Sequence, residues 1–240
     1  MLALTVAAIM MLVPFAAGAN TKTYSKIAAT FPRDLENCKT SPSTVGQLSS
    51  LKCASLCLNT PGCNLFCLVG TECVLYQGWV TTSYNGSYSD IVNLYCYTAY
   101  HYGFDLAPAA TFTAVSYYSF TPPENAVQGF YCDDIKYCFN SFVQTNPWWM
   151  ADLLSPKGVS KIVVKTRKDL RDFSNVEIRL GNTSSFTSNP LFASYMGLTP
   201  TPLEILVFAP SSPMTGRYLS LQSITSSGAL NVCNIQIIAA

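Results

Sequence analysis

The side chains of this chain that could do chemistry are few and easily located. Ten cysteines stand at positions 38, 53, 57, 63, 67, 73, 96, 132, 138 and 233, against a single histidine, His101. Thiolate and imidazole are the usual parts of zinc sites and activated nucleophiles. Here no Cys-x-x-Cys occurs, and His101, between Tyr100 and Tyr102, has no serine or cysteine nucleophile in a recognisable setting. A Gly-x-Ser-x-Gly elbow and a phosphate-binding loop are absent as well. These absences argue against an enzyme and against an organic cofactor. An even number of cysteines reads instead as a disulfide framework, provided the chain enters an oxidising compartment.

The amino terminus supplies that route. Leu2 to Leu12 is almost wholly apolar and is followed by the small residues Ala16-Ala17-Gly18-Ala19. This is the pattern of a secretory signal, residues 1–19, cleaved near Ala19. All ten cysteines lie beyond it, and Asn85-Gly86-Ser87 and Asn182-Thr183-Ser184 are glycan-acceptor sequons. A secreted, extracellular glycoprotein is expected. Lys plus Arg number 14 against 13 Asp plus Glu, so the basic excess that nucleic-acid binding needs is missing. Residues 20–105 carry seven of the cysteines and residues 106–240 carry three, together with most of the alternating apolar runs. That shift in composition predicts two modules with a boundary near Asp105 to Pro108.

In the first module Ser49 is placed to cap a helix through Leu51 to Leu58, with Asn59 and Pro61 stopping it. Cys53 and Cys57, four apart, share one face of that helix and could reach a strand such as Cys73-Val74-Leu75-Tyr76. The series Cys38, Cys53-x3-Cys57-x5-Cys63, Cys73-Val74-Leu75 and Cys96 resembles a PAN/apple module, a small disulfide-rich α+β unit, over residues 38 to 98. The resemblance implies the pairs Cys38–Cys96, Cys53–Cys73 and Cys57–Cys63, and a binding role. It leaves Cys67 over.

The second module alternates polar and apolar residues throughout, as in Val176-Glu177-Ile178-Arg179-Leu180-Gly181. Lys161 to Thr166, Leu203 to Phe208, Arg217 to Leu221 and Asn234 to Ile238 repeat the theme between turn-rich stretches. A β-sandwich or jelly roll is expected, so the chain as a whole is mainly β. In Asn146-Pro147-Trp148-Trp149-Met150 the two indoles should point to opposite faces, one into a core and one to the surface or the rim of a site.

The order Cys138, Asn146-Pro147-Trp148-Trp149, Thr166-Arg167-Lys168-Asp169, Val176 to Gly181, Gly216-Arg217-Tyr218-Leu219 and Cys233-Asn234-Ile235 resembles the F-type lectin (fucolectin) version of the discoidin-like, galactose-binding-like jelly roll. The resemblance implies a Cys138–Cys233 bond and a sugar site gripped by a histidine and two arginines beside an aromatic patch. Guanidinium forks bond hydroxyl and ring oxygens while an apolar ring covers the C–H face. Position by position, the histidine becomes Asn140, the first arginine is Arg167 with Asp169 two residues on, and the second falls on Ser174, with Arg171 nearby. Candidate ligand-binding residues are therefore Asn140, Trp148, Trp149, Arg167, Asp169 and Arg171. The resemblance also implies a structural calcium ion. Asp133 and Asp134 are its candidate ligands, and the acid expected after the last cysteine is Asn234.

Two cysteines, Cys67 and Cys132, fall outside these pairs. A bond between them would staple the two modules; the competing arrangement pairs Cys132 with Cys138 and Cys67 with Cys233. The partners expected are extracellular glycans or glycoproteins, through a partly degenerate fucose site. The alternative is a structural or adhesion protein that holds protein partners and has lost the sugar site. A membrane-surface role through the apolar tip Phe142-Val143 is the least favoured.

Overall fold

The computed structural model describes residues 22–27, 38–45, 49–70, 72–84, 94–132, 134–167, 173–197 and 204–240. The expected signal segment and Asn85, Asp133, Asp169 and Arg171 lie outside them. The chain divides into two compact units, residues 1–101 and 102–240. Asp105 belongs with the second: its carboxylate accepts from the N–H groups of Ala107 (3.0 Å) and Ile237 (2.9 Å).

The first unit is α+β. Strands β1 (Ser25–Ile27), β2 (Lys39–Val45), β3 (Leu65–Val69), β4 (Glu72–Tyr76) and β6 (Leu94–Thr98) form an antiparallel sheet in the order β1-β6-β3-β4-β2, and Trp79–Val80 is a short strand β5. Helix α1 runs Ser50–Asn59 and is capped as its sequence predicts: Ser49 Oγ accepts from Lys52 N. Cys53, Ala54 and Cys57 are its buried face. Cys53 bonds Cys73 on β4, and Cys57 bonds Cys63 in the turn that follows the helix.

The expected Cys38–Cys96 pair does not form. Cys67 bonds Cys96 instead, so neither a Cys67–Cys132 staple nor a Cys67–Cys233 bond exists. The reason is sheet register: β3 and β6 are neighbours, Cys67 stands directly opposite Cys96, and their Cα atoms are 4.0 Å apart. Cys38 and Cys132 are each disulfide-bonded as well.

The second unit is a β-sandwich. Strands β7 (Thr111–Ala114), β8 (Phe130–Tyr131) and β9 (Phe139–Asn140) precede the long β10 (Trp148–Lys165); β11 (Val176–Gly181), β12 (Leu191–Tyr195), β13 (Ile205–Phe208), β14 (Met214–Ser223), β15 (Asn231–Val232) and β16 (Asn234–Ala239) follow. The amino-terminal half of β10 lies between β14 and β7, and its carboxy-terminal half lies between β13 and β16. One strand thus pairs with four others. Its ladder with β14 is interrupted after Asp152, where exposed Leu154 takes a φ of 66°. A left-handed leucine is costly, and Asp152 offsets it: the carboxylate accepts from Leu154 N at 2.8 Å and from the Arg217 fork at 2.7 and 2.8 Å.

Alternation along β10 places Trp149, Ala151, Ile162 and Val164 in a core with Ile178, Leu180, Leu219, Leu221, Ile235 and Ile237. Trp149 is fully buried, and its indole N–H donates to Pro123 O at 3.0 Å. On β11 the faces separate as the sequence requires, with Glu177 and Arg179 paired outside at 2.7 Å. The Cys138–Cys233 bond forms as expected, tying the start of β9 to the chain between β15 and β16.

Candidate functional site

The candidate site opens at one end of the sandwich, where β9, β15 and the end of β10 meet. β9 and β15 pair antiparallel with Asn140 opposite Asn231, which sets two amides side by side. Arg167 follows two residues after Lys165, the last residue of β10. Its Nη1 donates to Asn140 Oδ1 at 2.7 Å. The Asn140 amide is held in that orientation because its Nδ2 donates to Cys138 O at 3.4 Å. Two positions that the sequence could only align, 27 residues apart, are thus in direct contact.

Around this pair lies a cavity of about 300 Å³ lined by Tyr118, Phe120, Ile135, Asn140, Ser141, Val143, Arg167, Ala229 and Asn231. Each wall has a local cause. Tyr118 N donates to Asn140 O, and Thr121 O accepts from Asn140 N, which binds the 118–121 segment to β9. Ser141 Oγ accepts from Leu230 N at 2.8 Å, and Ser141 N donates to Leu230 O, fixing the floor to the 229–231 segment. Ser116 Oγ accepts from Phe142 N and donates to Gln144 Oε1, which shapes the tip carrying Val143. Arg167 is the one charged residue among the lining. Two residues before it, Lys165 is buried, and desolvation lowers its ammonium to about 8.

Among the described residues, the other sequence candidates do not line this cavity. Trp149 is a core residue, and Trp148 is half-buried on the opposite face of β10, where it packs on Phe186 with ring centroids 5.1 Å apart. Ser174 uses its backbone carbonyl to accept from Ser223 Oγ. Asp134 caps the turn Ile135–Tyr137 by accepting from Lys136 N at 3.0 Å, and it also pairs with Lys136 Nζ at 3.4 Å. The place the resemblance reserves for an acid is buried Asn234. Among the described residues, then, the several carboxylates that calcium prefers are not assembled, and no three His, Cys, Asp or Glu side chains converge. His101 lies outside the cavity, exposed, its Nδ1 3.3 Å from Thr82 Oγ1. Asn182 is exposed in the turn after β11.

Sequence reasoning missed Tyr118, Phe120, Ile135, Ser141, Ala229 and Asn231. The aromatic run Tyr117-Tyr118-Ser119-Phe120 was a usable signal, because so many rings in a segment without strand alternation need a purpose other than a core. Ala229 and Asn231 carried none.

No protein-family model matches the chain, and no curated protein matches it. Solved structures do. A fucolectin from the serum of the striped bass, Morone saxatilis, is 24% identical with a TM-score of 0.53; the match covers 57% of this chain and 50% of that one, so this chain spans about half its length. The lectin domain of lectinolysin, solved with Lewis B antigen, is 18% identical with a TM-score of 0.49 over 57% of this chain and 97% of that one. A family 32 carbohydrate-binding module of NanJ from C. perfringens, solved with galactose, is 17% identical with a TM-score of 0.46 over 55% and 94%. The fucolectin likeness shows the fold, a β-sandwich of the galactose-binding type.

Proposed function

We propose that this chain is a secreted, non-catalytic glycan-binding protein whose second unit holds a sugar in the cavity at Arg167. One observation carries the reading: Arg167, held at 2.7 Å by Asn140, presents a guanidinium to a cavity of about 300 Å³ whose other polar walls are Ser141 and Asn231. A guanidinium fork with flanking amides and a hydroxyl matches vicinal hydroxyls, and Tyr118 offers a ring for the C–H face of a pyranose. The resemblance to fucolectins and the printed ligands of the structural neighbours, Lewis B antigen and galactose, support the same class of ligand.

The grip differs from the histidine and two arginines that the resemblance implies. Asn140 takes the histidine position and serves to orient Arg167, and Ser174 gives the second arginine position no charge. Fucose itself is therefore one candidate among terminal sugars. The first unit, with its resemblance to PAN/apple modules, is read as a second binding module.

A glycan array probed with the secreted full chain tests the reading. Binding to a defined set of terminal sugars is expected, lost in Arg167→Ala, which should stay folded while losing about 1–3 kcal/mol of stability because buried Asn140 Oδ1 loses its donor. Undiminished binding by the variant would remove the sugar from this cavity.

A further inference from the structure

The cavity is two-toned, and the two tones are separated by depth. Its floor is buried and, apart from Ala229 at 5% exposed, polar: Asn140 is 2% exposed, Ser141 1% and Asn231 3%. Its rim is apolar and open: Tyr118 is 45% exposed, Phe120 58%, Ile135 41% and Val143 65%. These four come from three separate segments. The apolar surface also continues beyond the cavity, since Phe142, 44% exposed and not a lining residue, meets Tyr118 edge-on at 4.8 Å. Tyr118 in turn lies 6.2 Å from Phe120.

A free hexose fits this arrangement poorly. A galactose or fucose ring has one principal C–H face, which one aromatic ring satisfies, and its outward hydroxyls would lie against apolar side chains with no partner, at a cost in desolvation. Apolar surface in one contiguous exposed patch marks a binding region. The ligand that matches both depths is amphipathic along its length, polar at the inner end and apolar at the outer.

We propose that this cavity takes a glycoside with an apolar aglycone, the sugar resting on the Asn140, Ser141, Asn231 and Arg167 floor and the aglycone lying along the Tyr118, Phe120 and Val143 rim. The inference rests on the glycan-binding reading above and specifies which member of the class is held. The rim acts by removing aglycone surface from water, whereas the floor selects the sugar.

Calorimetric titration of the full chain with paired glycosides tests it: the methyl, hexyl and p-nitrophenyl forms of α-L-fucopyranoside and of β-D-galactopyranoside. For whichever sugar binds, an apolar aglycone should tighten binding at least about tenfold over methyl, the equivalent of removing roughly two methylenes from water. The methyl glycoside should displace it. A hexyl preference indicates an alkyl, lipid-type source for the aglycone, and a p-nitrophenyl preference an aryl one. In the Phe120→Ser, Val143→Ser double variant the ratio of apolar to methyl glycoside affinity should collapse toward one, a readout that a folding defect, which lowers both alike, would not produce. Equal binding of methyl and apolar forms overturns the inference and leaves glycan binding standing, as does apolar-glycoside binding that methyl glycoside cannot displace. No binding of any glycoside, with a blank glycan array, removes the underlying reading.

Discussion

The two units solve the same problem, a stable β-rich core, by different means. Among the described residues one core cluster of the first unit is Tyr24, Cys53, Ala54, Cys57, Cys63, Phe66, Cys73 and Leu75, and half of these are disulfide-bonded cysteines. That of the second is twenty buried residues without a cysteine, drawn from both layers of the sandwich. A small unit cannot remove enough apolar area from water to offset its chain entropy, and cross-links reduce that entropy in the unfolded chain instead. The larger sandwich needs no such help. Its Cys138–Cys233 bond lies beside the cavity, where β9 and β15 set Asn140 opposite Asn231. Cystine therefore builds a core in one unit and braces a site in the other.

The sharpest way to break this contrast is to remove one apolar anchor. Trp149→Ala should destabilise the second unit by about 3–5 kcal/mol through the cavity it leaves, with Pro123 O losing its indole donor as well. Hydrogen exchange on the full chain should show lost protection in β10, β14 and β11 while β3 and β4 keep theirs. Joint loss in both units would mean that the cores are not separate. Replacing Cys53 and Cys73 together by alanine should cost the first unit about 2–4 kcal/mol for a 20-residue separation. Exchange should then rise in α1 and β4 and leave the sandwich unchanged.

A pH test sharpens the contrast on the polar side. Lys165 has its ammonium lowered to about 8 by burial, from an ordinary value of 10.5. Because the folded state holds the proton less tightly than the unfolded one, the cost of burying the charge is fully present below pH 8. It is relieved as pH rises from 8 towards 10.5. Lys165→Met should therefore raise the melting temperature at pH 7, and its advantage over the parent should shrink by pH 10. An advantage independent of pH would show that the gain is packing rather than charge. The smallest effect expected is at the helix: Ser49→Ala should cost about 1 kcal/mol, read as faster exchange in the first turn of α1.

Much of this molecule can be read from local chemistry. The α1 cap, the faces of β11, the burial of one indole of Trp148-Trp149 and the Cys53–Cys73 and Cys57–Cys63 bonds follow from spacing, periodicity and resemblance, because each depends on residues close in sequence or on a period. Asn140 and Arg167 could be aligned as site positions by resemblance, and the structure brings them into contact.

What the tertiary structure alone decided is whatever depends on which distant segments lie side by side. Cys67 meets Cys96 because β3 and β6 are neighbours in the sheet, an order that no count of cysteines contains. Trp148 does not line the cavity because the pleat turns it to the other face of β10, onto Phe186. The walls supplied by Tyr118, Ile135 and Ala229 come from separate segments that meet only when the sandwich closes. Side-chain type and period are local properties of a chain; strand order and the convergence of loops are set by long-range pairing, and only the closed fold carries them.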